Sequence, residues 1–390
     1  MDKDISQKLL KIFFLIILGI VAIINVGTVL CFIPILGEIA TLVFIPTYKL
    51  NMIITVFISI VSSFYLYKNK GKNSRIIFAI SLLILICFII ISTKIIIDVN
   101  NQGEDISLIK IFEVSNFSNV KVDETYYIDQ NGKEIGANVY YVEDNVKNKP
   151  IMIYIHGGGW ISGSKDNHTQ MNEAFAKNGY VVISLDYELS TKENNYWDFT
   201  EKQLFYGFLW GKENASKYNG DISKVYMIGD SAGGNLVLNL SYKINNGEYD
   251  KINEGNLSKI NAISVIYPVI DLTEFYNNNN SIIMRNLAKD MATSYIGGTP
   301  NKYSERYTIN NPENYITDKV PPTLIVLGEQ DTLVAPETTY NFIKKLDSAK
   351  IKNKLVKIPY GNHAGDISIK NFMGQTYINN TLEWFNNYKN

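Results

Sequence analysis

A chain of 390 residues has room for one large domain or two smaller ones. Its net charge of -1, with no basic stripe interleaved with aromatics, excludes nucleic acid as an expected partner. The two cysteines, Cys31 and Cys87, both fall in the first hundred residues, so no disulfide or thiol chemistry is expected beyond them.

The first hundred residues are overwhelmingly aliphatic, and the remainder is polar and rich in Asn, Tyr and Lys. Apolar runs cover residues 12–37, 50–67 and 76–93, each close to the ~20 residues that a spanning helix needs. Three such runs in succession argue against buried core helices. The first is also too long for a cleaved signal peptide and is followed by two more. Residues 1–99 are therefore expected to form a membrane region with about three transmembrane helices. Lys3, Lys8 and Lys11 precede the first run, and Lys68, Lys70, Lys72 and Arg75 fill the loop between the second and third. Positive loops stay in the cytoplasm, so everything after the third span is expected on the outer side of a cell membrane. The spans carry no buried acidic or basic pair of the kind a transporter uses.

Residues 100–103 read as a short polar connector, and residues 106–390 as a second domain. Alternating segments at 125–129 and 137–141 flank Asn131-Gly132, the signal of a β-hairpin. Short continuous apolar runs follow at 151–155, 181–185, 225–229, 263–267, 323–327 and 355–359, with helical patterns between them and a closing amphipathic helix at 371–388. Strands buried on both faces and alternating with helices predict an α/β fold with a mainly parallel sheet.

The chemistry concentrates in two glycine-rich segments. Val225-Tyr226-Met227-Ile228 leads into Gly229-Asp230-Ser231-Ala232-Gly233-Gly234 and then a helical run, which is the strand, sharp turn and helix of a nucleophile elbow. Ser231 is the expected nucleophile. Of the three histidines, His363 follows the last strand, where a general base belongs in the order serine, acid, histidine. Asp331, directly after strand 323–327, is the expected acid that orients it. Asp271 competes for that role but is better placed to cap a turn. His156-Gly157-Gly158-Gly159-Trp160 follows the first parallel strand, and its glycines let backbone N–H groups converge on a developing oxyanion. Gly157 and Gly158, with the Ala232 N–H, are the expected donors. His156 is expected to orient that loop, and no role is assigned to His168. Trp160 is a candidate substrate contact, with packing beneath the loop as the alternative. The loop lacks the Lys-Ser/Thr of a phosphate-binding P-loop.

These two segments in this order, with Asp331 and His363 behind them, resemble the hormone-sensitive-lipase-like branch of the α/β-hydrolases across roughly residues 120–390. The resemblance implies a carboxylic-ester hydrolase of short or medium acyl chains, needing no cofactor and no metal, with residues 272–318 as a lid. Asp186-Tyr187-Glu188-Leu189 is similar to the family's Asp-Tyr-Arg-Leu but carries Glu for Arg, and His363 is followed by Ala-Gly. Both departures bear on the shape of the acyl pocket. The expected function is a membrane-anchored serine esterase acting on a small-molecule, lipid or polysaccharide ester. A peptidase or amidase on the same fold, or an inactive hydrolase-like binding module, are the alternatives.

Overall fold

The computed structural model describes residues 27, 30, 31, 47–103, 106–252, 259–278, 281, 282 and 284–388. The first expected span, 12–37, thus lies outside the described residues apart from three positions. The other two apolar runs form helices α1, Tyr48–Lys68, and α2, Lys72–Asn100, each long and apolar enough to be a candidate membrane span. Phe57, Ile60, Leu83 and Ile89 are each more than half exposed, unlike the side chains of a core helix. Helix α2 runs beyond the expected end at residue 93. Lys94 and Asp98 pair one turn apart at 2.6 Å, so the charges that close the apolar run also support the helix.

The rest of the chain builds one eight-stranded sheet. Its strands are β1 Val120–Ile128, β2 Glu134–Val142, β3 Lys149–Ile155, β4 Val181–Leu185, β5 Gly220–Asp230, β6 Ala262–Ile266, β7 Thr323–Gly328 and β8 Asn353–Ile358. The spatial order is β1-β2-β4-β3-β5-β6-β7-β8. β1 and β2 form the expected antiparallel hairpin, and β2 is antiparallel to β4; every later pairing is parallel. The turn at Asn131-Gly132 is shaped by Asp129, whose Oδ1 accepts from the Asn131 and Lys133 N–H groups, with Gly132 at φ 80°.

Alternation along β3 divides the interior into two layers. Ile151, Ile153 and Ile155 face one apolar layer, and Met152 and Tyr154 face the other. On the first face lie α4, Thr200–Asn214, α5, Ser231–Asn246, and α9, Pro336–Ser348, through residues such as Leu204, Leu236 and Phe342. The second face is covered by α3, Thr169–Lys177, and α10, Phe372–Asn386, and also by the end of α2, whose Ile91, Ile95 and Val99 are completely buried. Asn371 stops α10 one residue short of its expected start: its Oδ1 accepts from Gly374 N–H at 2.8 Å and caps the helix. Between β6 and β7 the chain inserts α6, Leu272–Asn277, α7, Arg285–Ile296, and α8, Ser304–Ile309. Asn235 of α5 anchors this insertion by donating to the Val269 and Asn310 carbonyls, each at 2.9 Å.

β5 passes into α5 with no intervening loop, Asp230 ending the strand and Ser231 opening the helix. So abrupt a reversal needs close backbone approach. A Cβ on Gly233 would sit 2.2 Å from the Ile155 carbonyl oxygen, and one on Gly229 would sit 2.8 Å from the Gly233 carbonyl carbon. Gly233→Ala is expected to cost about 1–3 kcal/mol of stability by overpacking. A lowered thermal unfolding midpoint in detergent checks this; an unchanged midpoint would contradict it.

Candidate active site

All parallel strands deliver their following loops to one end of the sheet, and a cleft of about 440 Å³ opens there. Ser231 lies in it at φ 52°, in the left-handed region that a non-glycine residue enters only under constraint. His168, Tyr267 and Ala364 also line the cleft at positive φ.

Ser231 Oγ is 2.9 Å from His363 Nε2, and His363 Nδ1 is 2.8 Å from Asp331 Oδ2. Ser231 opens α5 directly after β5, and Asp331 and His363 lie on the loops after β7 and β8. Asp331 is fixed by its second oxygen, which accepts from the Leu333 and Val334 N–H groups at 2.9 and 2.8 Å. Asn362 stitches the Asp331 and His363 loops together: its Oδ1 accepts from Thr332 N–H and from His363 N–H. Burial alone would lower the His363 pKa. The Asp331 charge and hydrogen bond outweigh it, and with Asp230 and Asp366 nearby the imidazole is raised above its usual 6.5. Asp271 is elsewhere, its Oδ1 capping α6 through the Thr273 and Glu274 N–H groups.

One expected donor is already engaged. Gly157 N–H donates to Asp230 Oδ1 at 3.0 Å. Gly158 and Gly159, at φ 110° and 62°, line the cleft instead. A Cβ on Gly158 would collide with the Ser162 carbonyl, and one on Gly159 would press on Met291 and be strained at its left-handed φ. Ala232 lies in the first turn of α5, where N–H groups have no partner within the helix. His156 is buried and stacked 4.2 Å from Tyr187, while its Nδ1 is 2.7 Å from the Gly157 oxygen. Tyr187 in turn donates to the His156 carbonyl, so the Asp-Tyr segment braces the glycine loop. Trp160 does not reach the cleft. It is completely buried and stacks on Tyr295 of the insertion at 4.6 Å, the packing alternative of the two expected for it.

A second polar cluster went unrecognised in the sequence. His168 stands 3.8 Å from Asp230 Oδ2 and 3.8 Å from Asp366 Oδ2; Tyr154 donates to Asp230, and Tyr267 to Asp366. Burial would lower the His168 pKa, but the two carboxylates raise it on balance. The cluster's five residues come from five separate stretches of the chain, and only Asp230 and Asp366, close to Ser231 and His363, gave a local hint. Among the described residues no group of three or more His, Cys, Asp or Glu side chains is placed to hold a metal.

A family model described as BD-FAE matches residues 137–346, more than half of the chain. Esterase LipC of Mycobacterium tuberculosis is 22% identical over 225 residues, covering 57% of this chain and 54% of LipC. The probable carboxylic ester hydrolase LipM of the same organism is 24% identical, covering 58% of this chain and 54% of LipM. The chain thus spans about half the length of these curated relatives. Among solved structures, a bacterial heroin esterase superposes with a TM-score of 0.60 at 18% identity, over 72% of this chain and 87% of that one. That likeness establishes an α/β-hydrolase fold.

Asp331→Ala removes the charge and the bond that hold His363 up, leaving burial opposed only by Asp230 and Asp366. The His363 titration, followed by imidazole NMR, is expected to move down relative to the unsubstituted protein; an unmoved titration would show that Asp331 does not set it.

Proposed function

The chain belongs to the BD-FAE family, and from that membership we propose a membrane-anchored serine hydrolase that cleaves carboxylic esters. The observation that carries this reading is the continuous contact from Ser231 Oγ through the His363 ring to Asp331, formed at the mouth of an elbow where the serine is already strained toward the cleft.

In this mechanism His363 Nε2 takes the Ser231 proton as Oγ adds to the ester carbonyl carbon. Asp331 holds the ring in the tautomer that leaves Nε2 free to accept, and stabilises the imidazolium that results. The oxyanion is received by the Gly158 and Gly159 N–H groups, with Ala232 N–H as the third donor. Collapse returns the proton from His363 to the departing alkoxide, releasing the alcohol and leaving Ser231 acylated. Water then repeats the sequence, deprotonated by the same imidazole, and the carboxylic acid leaves. Met291, Leu333 and Ile367 give the cleft an apolar wall suited to a short or medium acyl chain. The insertion between β6 and β7, including the expected lid at 272–318, supplies Met291 and acts as its roof.

Membrane anchoring is supported by the two long helices with exposed apolar faces. The hydrolase is proposed to be extracytoplasmic, because Lys68, Lys70, Lys72 and Arg75 cluster at the end of the helix pair that is remote from it. Protease added to intact cells is then expected to cleave the hydrolase portion; full protection would reverse the orientation.

Two measurements test the chemistry. A fluorophosphonate probe should label the detergent-solubilised protein, and Ser231→Ala should abolish labelling and reduce ester turnover by at least ~10³-fold. Failure of the folded protein to label would overturn the reading. In addition, kcat/KM for a soluble ester should fall as pH drops through a pKa above the ordinary 6.5 of imidazole, since only neutral His363 can accept the proton. A limb below that value would contradict the raised His363.

A further inference from the structure

Helices α1 and α2 form an antiparallel pair: Tyr48 Oη donates to Ser92 Oγ at one end, and the Ser62 and Ser81 hydroxyls meet at 2.5 Å farther along. From the turn at residues 69–71 to this Tyr48–Ser92 level, each helix contributes about 20 residues, or about 30 Å, the thickness of a hydrocarbon core. α2 is longer than that, and its surplus, residues 92–100, does not project freely. Ile95 and Val99 are completely buried in the layer that also holds Val356 and Ile358 of β8 and Phe372 of α10.

The junction that follows is also bound. Gln102 Nε2 donates to the Lys357 carbonyl and Gln102 Oε1 accepts from Lys357 N–H, both at 2.8 Å, so a side-chain amide continues the ladder of edge strand β8. Five residues on, Ser107 is held the same way. Its N–H donates to Gln375 Oε1 at 3.0 Å and its carbonyl accepts from Gln375 Nε2 at 3.1 Å. Two such paired contacts leave little freedom between the helices and the sheet.

The place of attachment decides what this rigidity does. The domain-side end of the pair rests against the start of α10, next to the segment between β8 and α10 that carries His363. Tyr48 meets the Phe372 ring edge-on at 4.6 Å, and Tyr360 and Ile369 join the same apolar layer. Tyr360 and Ile369 flank His363 on either side along the chain. Between them Ile367 lines the cleft and is 71% exposed, an apolar side chain at the mouth with no protein over it. Lys49, one residue into α1, lies over the Phe112 ring at 5.4 Å, the position of a cation at a headgroup boundary.

The geometry points to a cleft whose mouth is held against the bilayer surface, so that the substrate is an amphiphilic ester with its acyl portion lodged in the adjacent leaflet. This rests on the membrane-anchored esterase reading and specifies its substrate class. An ester carbonyl in a leaflet lies near the headgroup boundary, the level at which Tyr48 and Ser92 meet and from which the His363 segment begins. Ile367 is then covered by lipid.

The full chain in phosphatidylcholine nanodiscs tests the placement without requiring activity. In a Cys31→Ser/Cys87→Ser background, an environment-sensitive fluorophore is attached through Ile367→Cys or, at the opposite end of the sheet, Ile222→Cys, which is also exposed. Nitroxide lipids labelled at the headgroup should quench the first several-fold more than the second. Equal quenching overturns the proposal. The substrate half is tested by comparing para-nitrophenyl palmitate dissolved in the disc with soluble para-nitrophenyl butyrate. Gln102→Ala combined with a flexible Gly/Ser insertion after Gly103 should reduce turnover of the palmitate several-fold and leave the butyrate unchanged. Palmitate turnover that survives the insertion also overturns the proposal. Absent fluorophosphonate labelling beside an intact quenching contrast would remove the esterase reading and leave the docked placement standing.

Discussion

The Asp230 carboxylate is the constraint on which the site depends. One oxygen accepts from both Tyr154 Oη, at 2.7 Å, and Gly157 N–H, at 3.0 Å, so the residue just before Ser231 grips the glycine loop. The grip ties the two glycine-rich segments together, and the next two glycines, Gly158 and Gly159, line the cleft. It is also why Gly157 must lack a side chain: a Cβ there would lie 2.2 Å from the other Asp230 oxygen. A buried carboxylate holding a neutral N–H and a phenol is charge-assisted on both sides, which makes the contact stronger than an ordinary loop hydrogen bond.

Much of the architecture was legible because parallel strands buried on both faces have an unambiguous pattern. The runs at 151–155, 181–185 and 323–327 lie within β3, β4 and β7, and the hairpin formed at its Asn-Gly turn. Ser231, Asp331 and His363 could be expected near one another because their order and local context are set by strand ends, and the structure places the three side chains in contact. What escaped the sequence depends on contacts across many residues. The use of the Gly157 N–H requires knowing that Asp230 folds back over it. The burial of Trp160 depends on Tyr295, supplied by an insertion more than a hundred residues later. The His168 cluster draws on β3, the elbow and the His363 loop, so no single window contained it. α2 was cut short at Lys94 because a charge ends an apolar run, although that charge pairs along the helix while Ile95 and Val99 seal onto the sheet.

Strain and rigidity share the same end of the molecule. Ser231, His168, Tyr267 and Ala364 adopt backbone conformations that cost roughly 1–3 kcal/mol apiece for a side-chain-bearing residue. They persist because the loops around them are over-determined: Asn362 ties the Asp331 loop to the His363 loop, and Asn371 ties the His363 loop to α10. The cleft is therefore preorganised by the scaffold.

The Gln102 amide has a further consequence for how the chain is made. It closes the open edge of β8, yet it precedes Lys357 by 255 residues. During synthesis α2 is finished long before the strand it covers exists, so its docking face must wait through the assembly of nearly the whole sheet. β8, the last strand to arrive, meets a prepared boundary on its outer side. A hydrolase portion made without residues 1–102 would lose the Gln102 contact at the β8 edge beside a less covered Val356, Ile358 and Phe372, the kind of surface that recruits a second copy. In this chain the end of α2 and the junction that follows it thus serve as the lateral seal of the sheet.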